Sequence, residues 1–153
     1  MTAAEPWAVL WDMDGVLVDT AEFHWQAWSA LWREMGLTLE YEAFHRTFGQ
    51  RNEEIIARLL GDEVSAGRVE ELGTRKEELY RAAVTGRVRA LPGVLGLTAE
   101  LAAQGIPQAV ASSAPLSNIE LILDELGIRA RFAQVVCDRD VAAGKPDPAV
   151  FLV

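Results

Sequence analysis

The chain has 153 residues, 50% of them hydrophobic and 24% charged, a composition that supports a sizeable core and excludes a disordered protein. Its 14 basic and 23 acidic residues give a formal net charge of −9, which argues against a nucleic-acid or membrane-surface partner but allows a small phosphorylated ligand. The single cysteine, Cys137, excludes an internal disulfide framework, and no apolar stretch reaches the ~18 residues of a membrane span. Because the first residues lack the basic start and apolar stretch of a signal peptide, we expect a cytoplasmic protein.

The predicted elements begin with a short apolar run at residues 8–11, which ends at acidic residues and is typical of a buried strand. Hydrophobic residues then recur at helical spacing over residues 23–35, 55–60 and 69–83. Gly36 and Gly61 stop the first two of these patterns. We therefore expect residues 19–88, called the helical segment below, to be entirely helical.

After a turn signal at Leu91-Pro-Gly the pattern alternates between helices and strands. Helices are predicted at residues 94–104 and 119–126, and strands at residues 106–111 and 133–137. This alternation predicts an α/β fold with a buried parallel sheet. We therefore interpret the helical segment as an insertion into the α/β fold that lies over the carboxyl ends of the strands.

Two acidic residues follow the first strand directly. Asp12 and Asp14 are two positions apart, so in an extended backbone both carboxylates point the same way and can reach one cation or one substrate. Oxygen ligands of this kind suit Mg²⁺. A calcium loop is excluded, because Val16 and Leu17 stand where it needs an acid and a glycine. A plain Asp-Gly turn stays open as an alternative.

Two later loops carry further polar candidates. Ser112 and Ser113 lie between a strand and a helix, whose amino end can hold an anion, although one serine could simply cap that helix. Lys145 lies in a loop with prolines at 146 and 148, which restrict the backbone beside it. Twelve of the 14 basic residues are arginine, so this lysine favours a site that needs a compact point charge over an ordinary solvated turn.

The other lysine of the chain, Lys76, lies on the apolar face of its predicted helix. It is in phase with Leu72 and Leu79. A charge at such a position either reaches solvent from an apolar stem or marks a functional site, and the residues alone leave both open.

These pieces together resemble a known family. Asp12-Met-Asp-Gly-Val, Ser112 after a strand, and Lys145 in Gly-Lys-Pro-Asp-Pro are similar to the three successive motifs of the haloacid dehalogenase-like phosphotransferases. Residues 19–28, with His24 and Trp28, resemble the β-phosphoglucomutase-like branch of that family. The resemblance covers the whole chain and implies a Rossmann-like core at residues 1–18 and 89–153 with an α-helical cap at residues 19–88.

The resemblance also implies roles for individual residues. Asp12 would be the nucleophile, Asp14 the general acid/base, and both would hold Mg²⁺. Lys145 and Ser112 would bind the transferred phosphate. The residues that would bind substrate or phosphate besides these are Ser113, Thr20, His24, Trp28, Asn52 and Lys76.

Two departures from the branch concern a second phosphate. Ala114-Pro115 stands where the mutases have a serine and a lysine, and Asn52 aligns with their phosphate-binding arginine while Arg51 is one residue early. These departures favour a Mg²⁺-dependent phosphatase of a small phosphorylated metabolite that works through an aspartyl-phosphate. The alternative is a sugar-phosphate mutase of the β-phosphoglucomutase type.

A third departure concerns the carboxyl end of the sequence. The family continues to a later acidic motif that completes the metal site, whereas this sequence ends at Val153 before it. A catalytically weak or inactive truncated domain, with an unpaired edge at the first strand, is therefore a second alternative. If the chain is complete, Asp138 or Asp140 is expected to finish the metal site. Oligomeric state is left open.

Overall fold

The computed structural model describes residues 7–61, 64–145 and 147–153. Residues 1–6, from which the location was inferred, and Pro146 of the Lys145 loop lie outside the described residues. The strands are β1 (Val9–Trp11), β2 (Gln108–Ala111) and β3 (Gln134–Val136). The helices are α1 (Ala21–Glu34), α2 (Tyr41–His45), α3 (Asn52–Leu60), α4 (Ala66–Val84), α5 (Val94–Ala103), α6 (Leu116–Glu125) and α7 (Ala149–Leu152), with 3₁₀ turns at Arg129–Arg131 and Asp138–Asp140.

The three strands form a parallel sheet in the order β1-β2-β3, which confirms the predicted α/β fold. Leu10 of β1 aligns with Ala109 of β2, and Val110 aligns with Val135 of β3. Within the described part of the chain β1 has a strand neighbour on one side, and Leu10 is 51% exposed. The carboxyl ends of all three strands meet at one edge, which is where ligands bind in parallel sheets.

In its described residues the helical segment contains four helices around a core of its own. The long helices α1 and α4 pack along each other, and α3 packs against α4. α1 ends at Glu34 and is followed by Gly36 with φ +73°, a left-handed conformation that suits glycine after a helix. α2 was covered only by the expectation of an all-helical segment, because no separate hydrophobic period was found for it. The buried core residues are Trp28, Leu31, Trp32, Leu39, Phe44, Ile55, Ile56 and Leu72.

A second hydrophobic core joins the helical segment to the sheet. Met13, Val110 and Ile119 from the α/β part are fully buried together with Tyr80 and Val84 from α4. Because of this shared core, the helical segment lies against the loops that follow the strands. Among the described helices, none is long and apolar enough to cross a membrane.

Candidate active site

A cavity of about 950 Å³ lies between the helical segment and the loops after the three strands. The structure brings together nine of the ten sequence-predicted site residues along its wall. The tenth, Thr20, does not line the cavity, but its hydroxyl donates a hydrogen bond to Asp14, which does line it. The nine lining residues are Asp12, Asp14, His24, Trp28, Asn52, Lys76, Ser112, Ser113 and Lys145.

Asp12 and Lys145 form an ion pair at the end of the sheet. The Asp12 Oδ1 atom accepts hydrogen bonds from Lys145 Nζ at 2.7 Å and from the Met13 amide at 2.7 Å. Lys145 Nζ also donates to the carbonyl of Ala111, the last residue of β2, at 3.2 Å. The lysine therefore links the ends of β1 and β2. Both side chains are partly exposed to the cavity, so a phosphate there could contact both.

Asp14 contacts a hydroxyl and a histidine ring, whereas Asp12 pairs with an ammonium group. The Thr20 hydroxyl donates to Asp14 Oδ1, and His24 Nε2 lies 3.5 Å from the same oxygen. Burial works to raise the pKa of Asp14, but the contacts with His24 and Thr20 and the charge of Lys76 outweigh it and hold the pKa below its ordinary value. Asp14 is therefore ionised in the unliganded site, the state that can accept a proton from water. A phosphate dianion bound beside it would favour the protonated form that a general acid needs.

The ring of His24 is fixed between Asp14 and Lys76. It stacks on Tyr80 with centroids 4.2 Å apart, and Lys76 Nζ lies 3.0 Å from its Nδ1 atom. Burial and the charge of Lys76 lower the pKa of His24, so the ring is neutral at pH 7. An ammonium group can only donate, so Nδ1 is the acceptor and the ring proton is on Nε2, facing Asp14.

Lys76 does not reach solvent, although its place on an apolar helix face allowed that alternative. The residue is 3% exposed, and its Nζ atom donates to Glu77 Oε1 at 2.8 Å as well as contacting His24. The ammonium also lies 5.4 Å from the ring centroids of Trp28 and Tyr80, within cation–π range. Trp28 itself is 1% exposed and belongs to the core of the helical segment.

The two serines occupy the loop after β2. Ser112 is 2% exposed, and its Oγ atom accepts from the Ala114 amide at 3.1 Å. This bond closes a turn and does not cap α6, whose N-cap residue is Pro115 without a side-chain cap bond. The capping alternative for Ser112 is therefore wrong. Ser113 lies on the cavity wall beside it.

Two residues that the sequence analysis did not assign to the site organise its helical side. Arg51 reaches from the helical segment to the loop after β3 and donates to the carbonyls of Asp138, Val141 and Ala142 at 3.1, 2.9 and 3.3 Å. Glu77 binds the side chains of three residues: Lys76 at 2.8 Å, Asn52 at 2.8 Å and Asn118 at 2.5 Å. The neighbouring buried Lys76 was the one sequence signal that could have pointed to Glu77.

The metal-binding residues predicted from sequence fit a Mg²⁺ ion. Asp12 offers a carboxylate oxygen at the cavity and Asp14 would offer its main-chain carbonyl, which leaves the Asp14 side chain able to carry a proton, and Mg²⁺ is commonly bound by one or two carboxylates with waters and substrate phosphate. Within the described residues no cluster of three or more acidic, histidine or cysteine side chains could hold a metal. Asp138 lines the cavity. Asp140 is engaged elsewhere, because its Oδ2 atom accepts a hydrogen bond from the Cys137 amide at 2.8 Å.

Comparison with known proteins places the chain in a family. The model for haloacid dehalogenase-like hydrolases matches residues 9–153, so the chain belongs to that family, as its three motifs predicted. It is 33% identical over 152 residues to β-phosphoglucomutase of Bacillus subtilis, covering 95% of this chain and 66% of the relative. It is 32% identical over 146 residues to the chloroplastic 5-amino-6-(5-phospho-D-ribitylamino)uracil phosphatase of Arabidopsis thaliana, covering 94% of this chain and 39% of the relative.

A solved structure supports the same assignment. The crystal structure of CbbY from Rhodobacter sphaeroides in complex with phosphate superposes with a TM-score of 0.85 at 28% identity, covering 95% of this chain and 69% of that one. Of the two curated relatives named above, the chain spans 66% of the length of one and 39% of the length of the other, which is less than two thirds in both cases. These neighbours confirm the predicted β-phosphoglucomutase-like branch.

Proposed function

We propose that this chain carries the site of a Mg²⁺-dependent phosphatase that hydrolyses the monoester of a small phosphorylated metabolite through a phosphoaspartate at Asp12. The observation that carries the proposal is the cavity in which the Asp12 carboxylate, the Lys145 ammonium and the Asp14 carboxylate lie together at the end of a parallel sheet. In this proposal residues 19–88 are the cap and residues 1–18 and 89–153 are the core. A cytoplasmic location and the absence of a nucleic-acid or membrane partner stay predictions.

The first step would transfer the phosphoryl group to the protein. The free oxygen of Asp12 attacks phosphorus, a new P–O bond forms, and the bond to the substrate oxygen breaks. Protonated Asp14 gives its proton to that leaving oxygen, so the product departs as an alcohol. Lys145 and Ser112 would hold the non-bridging oxygens while negative charge spreads over them.

The second step would return the protein to its starting state. Asp14, now ionised, takes a proton from water, whose oxygen attacks phosphorus and releases the Asp12 carboxylate and inorganic phosphate. Proton transfer by a positioned group of this kind contributes on the order of 10²–10⁴-fold. Mg²⁺ held by the Asp12 carboxylate and the main-chain carbonyl of Asp14 would supply positive charge against the phosphate oxygens.

The polar groups of the cap support a phosphatase over a mutase. A mutase of the β-phosphoglucomutase type must grip a second phosphate, yet Lys76 and Asn52 are bonded to Glu77 and Arg51 is bonded to core carbonyls. The similarity to a β-phosphoglucomutase keeps the mutase as the alternative. Incubation with β-glucose 1-phosphate separates the two, because a mutase yields glucose 6-phosphate and a phosphatase yields free phosphate.

The proposal is tested by phosphate release from a panel of sugar phosphates and short-acid phosphates, with and without Mg²⁺. We expect Mg²⁺-dependent release from at least one compound and none from the Asp12→Asn variant. Release that is unchanged by Asp12→Asn would contradict the mechanism. Absence of release from every compound would favour the catalytically inactive alternative.

A further inference from the structure

Glu77 is a buried carboxylate that lies on α4 and is shared between cap and core. It is 6% exposed, and both of its oxygens are used. Oε1 accepts from Lys76 Nζ at 2.8 Å and from Asn52 Nδ2 at 2.8 Å, both within the helical segment. Oε2 accepts from Asn118 Nδ2 at 2.5 Å, across the boundary to the core.

The core side of this contact is equally well defined. Asn118 lies in the first turn of α6 and is 1% exposed, and its Oδ1 atom accepts from Arg81 Nη1 of α4 at 3.0 Å. Its amide is therefore held in one orientation, with the NH₂ group toward Glu77 and the oxygen toward Arg81. This bond between Glu77 and Asn118 exists only while the helical segment lies on α6.

The Oε1 atom of Glu77 is connected through Lys76 and His24 to Asp14. Lys76 needs a negative partner because a buried ammonium is costly without one, and Glu77 is the only carboxylate within salt-bridge distance of it among the described residues. Lys76 in turn contacts Nδ1 of His24 at 3.0 Å, and this contact leaves the His24 proton on Nε2, which faces Asp14 at 3.5 Å. A continuous set of polar contacts thus runs from the core residue Asn118 to Asp14.

We propose that Glu77 is a positioning residue that uses the docking of the cap on α6 to hold Lys76 against His24 and so aim the Nε2 proton of His24 at Asp14. The inference rests on the proposed function, in which Asp14 protonates the leaving oxygen. With the cap lifted, Glu77 loses Asn118 and becomes solvated, which weakens its hold on Lys76, and His24, which moves with the cap, separates from Asp14. Asp14 is then oriented by the Nε2 proton of His24 only in the docked state.

The kinetic test compares two esters of matched size in the full chain with Mg²⁺. p-Nitrophenyl phosphate releases a stable phenolate and needs no proton on its leaving oxygen, whereas p-nitrobenzyl phosphate releases an alkoxide and does. We expect Glu77→Gln to lower kcat/KM for the benzyl ester by at least about tenfold and for the phenyl ester by less than about threefold. Asn118→Ala should show the same selectivity from the core side.

Two controls make the test specific. Glu78→Gln is the matched control, because Glu78 is the next residue of α4, is exposed and pairs with Arg75. It should leave both rates unchanged. Equal losses on both esters, or no loss on either, in Glu77→Gln and Asn118→Ala would overturn the proposal. An unchanged rate in Asp12→Asn would instead overturn the proposed function.

A second readout does not depend on turnover. The chain has two histidines, His24 and the exposed His45, so their ring nitrogens can be told apart by ¹⁵N NMR. We expect His24 to be the neutral Nε2–H tautomer at pH 7.5, and to lose that single tautomer in Glu77→Gln while His45 is unchanged. A His24 spectrum that is the same in both proteins would overturn the proposal even if neither ester is hydrolysed.

Discussion

Lys145 Nζ lies 2.7 Å from Asp12 Oδ1 and 3.2 Å from the carbonyl oxygen of Ala111. One ammonium group therefore touches the end of β1 and the end of β2 together. In the proposed mechanism a phosphoryl group transferred to Asp12 enters the same space, so the lysine would contact its oxygens without leaving the carboxylate. A compact charge with rotatable donors suits this three-way contact better than a planar guanidinium.

We expect Lys145→Arg to lower kcat by about 100-fold while the fold is kept, a size typical of losing one donor to a developing charge. Steady-state phosphate release measures the loss, and circular dichroism checks the fold. Arg68→Lys, an exposed residue of α4, is the reverse exchange on a surface site and should have no effect. A kcat near that of the parent in Lys145→Arg would remove the argument that this site selects lysine.

The buried pair Lys76–Glu77 predicts a large change in stability. Lys76→Met leaves the Glu77 carboxylate buried without its ammonium partner, and removing one member of a buried pair costs about 3–5 kcal/mol. The double variant Lys76→Met/Glu77→Gln removes the uncompensated charge, so it should be more stable than the single variant. Urea unfolding gives the three free energies of unfolding. A single variant as stable as the parent would show that the ammonium contributes nothing there.

His24 predicts how stability changes with pH. Its pKa is lowered in the folded protein by burial and by Lys76, so below the unfolded value of 6.5 the unfolded chain binds a proton that the folded chain does not. The free energy of unfolding should therefore fall as the pH drops from 6.5 toward 5, by at most about 1.4 kcal/mol per pH unit. Urea unfolding at several pH values should show this slope, and His24→Gln should flatten it. His45→Gln is the control, and a slope unchanged by His24→Gln would contradict the assignment.

The contact between Arg51 and Gly144 predicts a steric effect on cap docking. A Cβ atom at Gly144 would lie 2.9–3.0 Å from side-chain atoms of Arg51, whose guanidinium is held by three core carbonyls. Gly144→Ala should displace Arg51, destabilise the protein by about 1–3 kcal/mol and raise hydrogen exchange in residues 138–145. Gly96→Ala, inside α5 with open space around it, is the control and should be neutral or stabilising. Unchanged exchange in Gly144→Ala would mean that Arg51 does not link the two parts.

Most helices and strands could be predicted from the sequence because the spacing of hydrophobic residues follows the buried face of each element. The stripes over residues 23–35 and 69–83 correspond to α1 and α4, whose buried faces form the core of the helical segment. α2 fell within the segment that was expected to be helical but was not located as an element, because its five residues bury one side chain, Phe44, and so show no hydrophobic period. The strands were found because their apolar runs end at polar residues, where the carboxyl ends of parallel strands meet.

The site was predictable only where it lies on those strand ends. Asp12 and Ser112 follow β1 and β2 directly, so their convergence comes from sheet geometry. Arg51 and Glu77 could not be predicted in the same way. The partners of Arg51 are backbone carbonyls 87 to 91 positions away, and the core partner of Glu77 is 41 positions away, so no local pattern records them.

The phosphoaspartate at Asp12 is the central claim, and it can be observed directly. The protein is mixed with substrate and Mg²⁺, quenched in acid within the first turnover, digested and analysed by mass spectrometry. The account predicts a peptide spanning residues 8–19 that is heavier by one phosphoryl group in the parent protein and is unmodified in Asp12→Asn. Phosphate release by the parent without any such modified peptide, together with full activity of Asp12→Asn, would contradict it.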